Sequence, residues 1–140
     1  MDEAKHKDHR TMTLSQSFLS AGGVFHLALA VFHLFFWRIF RWKEDLASLT
    51  HINRAAMQIL NICLALLFFV MMYISFFHAA ELLVTSLGST ILASIALFWV
   101  LRLILQFVFF GARHRISILF VVVFTIGAPL YLIPFLWSLP

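Results

Sequence analysis

Residues 87–111 read LGSTILASIALFWVLRLILQFVFFG. No charge interrupts the run before Arg102, and as a helix it is long enough to cross a hydrocarbon layer about 30 Å thick. A guanidinium at that depth costs from about 2.5 to well over 10 kcal/mol depending on the reference state, so it rarely faces lipid and usually faces a polar partner. Gln106 lies one turn further on and shares its face.

Apolar runs of the same kind recur at 17–40, 53–78 and 116–137, which makes 88–111 the third of four spans. The expected fold is an all-α membrane protein. Its four transmembrane helices form an antiparallel up-down bundle with short connections, preceded by a polar, flexible arm over 1–16. Hydrophobic residues make up 63% of the chain and charged ones 11%, against about a quarter charged in soluble domains. The net charge of +4 resides mostly between the apolar runs, where basic residues set orientation, and no nucleic-acid partner is implied. The first apolar run is too long for the core of a cleavable signal peptide. A lone cysteine, Cys63, excludes an internal disulfide and any CxxC pair, and with them the four-helix thiol oxidoreductases.

Within the first run His26 and His33 are seven residues apart and share a face. Gly22 on the same side allows close approach of a neighbouring helix. Trp37, Arg38, Arg41, Trp42 and Lys43 close the run as an aromatic and basic interface anchor. Arg54, Gln58 and Asn61 carry polarity into the second run along one stripe. Arg113, His114 and Arg115 form a basic turn between the last two, and Gly127, Pro129 and Pro134 are expected to kink or loosen the fourth helix. The first and third connections outweigh the N-terminal Lys5, Lys7 and Arg10 in basic charge. Both termini are therefore expected outside an inner (plasma) membrane.

Comparing depths in antiparallel helices places His33, Asn61, Arg102 and Gln106 in one polar layer, with Thr125 slightly nearer the middle. Such a layer serves simply as glue in many bundles, at about 0.6 kcal/mol per contact. Arg102 resists that reading, because no Asp or Glu lies inside any expected span. The expected function is that of a binding or accessory subunit whose layer around Arg102 holds an anionic or lipid/quinone-like ligand. The bilayer, and a homo-oligomer or membrane-protein partner, are its expected contacts. An alternative is a small oligomeric transporter or channel for protons or anions. A third is a haem protein with one axial ligand, or a membrane-embedded lipid enzyme. His26 and His33 are the candidate haem ligands or proton relay. No metal site is expected, since residues seven apart on a helix cannot share one ion. No catalytic pair is visible. The run His51-Ile52-Asn53-Arg54-Ala55-Ala56 is similar to the polar entry of the second span in membrane-associated eicosanoid and glutathione enzymes. Ala56 stands where those enzymes carry an acidic residue, and no membership follows.

Overall fold

Hydrophobic stripes with near-heptad spacing organise each long helix in the computed structural model. It describes residues 2–111 and 113–139, with side chains from Arg10 onward. Helix α1 spans Asp2–Leu34, α4 His51–Phe77, α6 Ser86–Phe109 and α7 Arg115–Ser138. The short helices α2 (Phe36–Ile39), α3 (Trp42–Asp45) and α5 (Ala79–Val84) lie between them, with a single 3-10 turn at Leu46–Ser48. No strand occurs among the described residues. The segments Arg10–Leu34, His51–Phe77, Ser86–Phe109 and Arg115–Ser138 are each long and apolar enough to cross a membrane. The chain is an all-α membrane protein of four such helices.

Each span buries one stripe and leaves the rest apolar and exposed, as a lipid-facing helix must. In α1 the buried positions are Ser15, Leu19, Gly22, Gly23, His26 and Ala30. In α4 they are Ala65, Phe68, Met71 and Ser75. The repeat of three and four is that of helices packed nearly parallel.

Two boundaries differ from the sequence reading. The first span ends at Leu34 rather than continuing to residue 40, and residues 10–16, expected in the polar arm, are helical with Ser15 buried. An aromatic cluster follows the early end. Phe36 packs on Phe40 with centroids 4.3 Å apart and on Trp42 at 5.1 Å, while Trp37 meets Trp42 at 6.2 Å. Burying Trp42 requires the chain to turn back, and Arg41 makes the turn in the left-handed region at φ 48°, a conformation costing about 1–2 kcal/mol for a residue with a Cβ. Its guanidinium donates to Glu44. In α7 the helix runs unbroken through Pro129 and Pro134.

The chain divides into two units by its internal contacts, Gly23–Ile74 and the remainder. In the first, α1 and α4 run antiparallel: His33 faces Asn61 and His26 stacks on Phe68 at 5.7 Å. In the second, α6 and α7 form a hairpin whose register is given by Gln106–Ser117, Trp99–Phe124 and Ser89–Ser138. Its turn is locked by Gly111 at φ 62°, the left-handed position that closes many helices. The N-terminal part of α1 joins this unit, with Phe18 on Trp137 and Gly22 against Tyr131. Thr85 caps α6, its hydroxyl accepting from the Gly88 N–H at 2.9 Å.

Candidate functional site

The most structured polar arrangement lies at the C-terminal end of α1. The Asn61 amide donates through Nδ2 to the backbone carbonyl of His33 at 2.9 Å. The Asn61 Oδ1 stands 2.8 Å from His33 Nδ1. A carbonyl can only accept, so the amide orientation follows from chemistry. Oδ1 then faces the ring, and His33 Nδ1 must carry a hydrogen. In the neutral imidazole the lone pair therefore belongs to Nε2. The ring is further held by Phe36, stacked at 4.9 Å, and by Phe68 at 5.3 Å. One asparagine thus serves a carbonyl of the last turn of α1 and selects the tautomer of its histidine.

A cleft of about 230 Å³ opens beside this pair, lined by His33, Leu34, Trp37, Trp42, Gln58, Asn61, Ile62 and Ala65. Sites for drug-sized molecules run from about 300 to 1,000 Å³, so this space suits a single ring or head group. No Asp, Glu, Lys or Arg lines it. The Gln58 carboxamide faces it without a hydrogen-bond partner among the described residues. The cleft also lies beside the tryptophan and arginine anchor, where aromatic belts mark the membrane–water interface.

Arg54, the outermost of the polar stripe, serves the scaffold. Its guanidinium donates to the carbonyls of Leu46 at 2.9 Å, Ala47 at 3.0 Å and Leu49 at 3.3 Å. The Leu46 carbonyl also accepts from the Leu49 N–H at 3.2 Å, so Arg54 reinforces the 3-10 turn and serves the carbonyls that follow it. Arg54 thereby pins the segment that carries Trp42 to the start of α4.

No protein-family model, curated protein or solved structure matches this chain. The reading of the site therefore rests on its own geometry.

Of the residues named from sequence, His33 and Asn61 come together as a bonded pair. His26, fully buried, is held between Phe25 and Phe68 and does not line the cleft. In the other unit Gln106, 1% exposed, donates to Ser117 Oγ at 2.9 Å. Ser117 in turn donates to the Gly111 carbonyl, so the Gln106 side chain is committed to closing the α6–α7 turn. Arg102 lies half-buried with its guanidinium carbon 4.8 Å from the centre of the Phe124 ring. Thr125, expected near the layer, sits on the exposed face and donates to Val121 of its own helix at 2.8 Å. Sequence reasoning noticed Trp37, Trp42 and Gln58, but as an anchor and a stripe. Trp37 follows His33 by four residues and Gln58 precedes Asn61 by three, one turn from either partner, whereas Trp42 reaches the cleft only through the turn at Arg41.

Proposed function

We propose that this is a membrane-embedded binding protein or accessory subunit, and that the cleft at His33 and Asn61 takes the uncharged head of an amphiphile. The best candidate is a hydroxylated or quinone-like ring whose tail runs along the lipid-facing surface. The observation carrying the reading is the reciprocal Asn61–His33 pair at the edge of an uncharged, tryptophan-lined cleft. A packing contact alone has no need of a fixed tautomer beside open volume. The Nε2 of a neutral His33 accepts hydrogen bonds, the Gln58 carboxamide both gives and accepts, and indole N–H groups donate. That inventory matches a head of no net charge: quinone carbonyls can accept from the Gln58 carboxamide and the indoles, and a ring hydroxyl can also donate.

The depth agrees. α1 ends one residue after His33, and the anchor residues follow at once. A head group here sits at the boundary between acyl chains and water, the level at which tryptophan rings settle. We place this boundary on the cytoplasmic side, on the excess of basic residues in the same connection.

The test uses the protein's own tryptophans. A benzoquinone with a decyl tail, titrated into protein in nanodiscs, should quench fluorescence saturably through Trp37 and Trp42. Asn61→Leu and His33→Phe should abolish the saturable part. Linear quenching of equal slope in the parent and both variants would eliminate the proposal.

A further inference from the structure

The α6–α7 hairpin contains a charge whose position is unusual for a membrane span. In the antiparallel register, Trp99 stacks on Phe124 at 5.8 Å and Gln106 bonds Ser117. The α7 residue level with the backbone of Arg102 is therefore close to Val121. Its guanidinium nevertheless lies over Phe124, three residues further from the turn, or about 4.5 Å deeper. The side chain points back towards the middle of the helix, following the tilt of Cα–Cβ bonds towards a helix N-terminus. It is directed away from the nearer interface and does not snorkel.

The level of Trp99 is close to the midpoint of Ser86–Phe109. About 15 Å of helix separates it from the end of α6 at Phe109. Lipid phosphates are out of reach at that depth. The stabilisation on hand is the Phe124 face, with Phe120 stacked behind it at 5.9 Å. Arg102 makes no hydrogen bond or ion pair among the described residues. A cation–π contact is worth about 0.5–2 kcal/mol, which at best approaches the lowest value for a mid-membrane arginine, about 2.5 kcal/mol. Five N–H donors remain to be satisfied.

A second copy of this chain cannot supply a carboxylate to offset the charge, because none of the four spans contains an Asp or Glu. Beside Arg102 on α6, Leu97, Leu101 and Ile104 are exposed by half or more, giving an apolar surface against which a helix can lie. We propose that Arg102 is the docking point for a transmembrane helix of a different protein, one carrying an aspartate or glutamate near its centre. Phe124 holds the guanidinium at the depth where that carboxylate arrives, and the planar fork presents paired donors to it. The site is independent of the cleft at His33.

The experiment reconstitutes the full chain in vesicles with synthetic leucine–alanine helices and reads association by energy transfer between terminal fluorophores. The probes carry a central Glu, a central Arg, no polar residue, or a Glu moved two turns towards one end. The central-Glu helix should bind about ten- to a hundredfold more tightly than the apolar one, the equilibrium change of a charge-assisted hydrogen bond. The displaced Glu should lose most of that preference and the central-Arg helix should be excluded. Arg102→Leu should remove the preference and Arg102→Lys should keep part of it. Equal binding of the Glu and apolar helices overturns the proposal, as does a preference that survives in a folded Arg102→Leu. Should that variant fail to fold, the comparison of central Glu, displaced Glu and central Arg on the unaltered protein decides alone. A preference abolished by chloride at constant ionic strength overturns it in favour of a free anion.

Discussion

Gly22→Ala tests the close contact between α1 and α7. A Cβ built at Gly22 falls 2.6 Å from Tyr131 Oη, 2.7 Å from Cζ and 2.9 Å from Cε2. Tyr131 is fully buried and its hydroxyl lies 2.7 Å from Ser75 Oγ, so the rigid ring cannot move without giving up that bond. Overpacking costs about 1–3 kcal/mol. A hydrogen bond between membrane helices adds about 0.6 and at most about 1.7 kcal/mol. Alanine is the better helix former by about 0.8–1.0 kcal/mol, which offsets part of the loss. The net destabilisation should be about 1–4 kcal/mol. In a Tyr131→Ala background the obstacle is gone and only the helix preference remains, so the same substitution should become stabilising by up to about 1 kcal/mol. The measurement is reversible unfolding in mixed micelles for the four proteins of the cycle, followed by tryptophan fluorescence. The reversal of sign is what matters. A Gly22→Ala effect of the same sign and size in both backgrounds would refute the contact as its cause.

Two further outcomes are expected. His26→Phe should leave decyl-benzoquinone binding intact, because His26 does not line the cleft; a loss equal to that of His33→Phe would show that binding does not depend on the cleft. Arg54→Leu should remove the guanidinium shared by the Leu46, Ala47 and Leu49 carbonyls, destabilise the protein by about 1–3 kcal/mol and speed protease cleavage between Trp42 and Thr50. Unchanged cleavage there would show that the aromatic cluster alone holds the segment.

Much of the architecture follows from linear information. A helix in hydrocarbon must satisfy its backbone internally, so apolar runs of sufficient length dictate four helices, and the boundaries of the last three fall within two residues of those read from composition. The stripe of Arg54, Gln58 and Asn61, and the shared face of His26 and His33, were legible for the same reason: helical period is a local property. What the chain alone did not reveal is how each polar group is partnered. Past Leu34 the chain breaks at Phe35, resumes as a helix over Phe36–Ile39 and turns at Arg41 so that Trp42 packs on Phe36, and composition cannot tell an apolar residue that faces lipid from one that faces another ring. Gln106, equal to Asn61 by sequence, closes a turn through Ser117, whereas Asn61 orients a histidine. The depth of the Arg102 charge depends on which ring of α7 lies under it. Depth, tautomer and partner are relations between helices, so only the tertiary structure decides them.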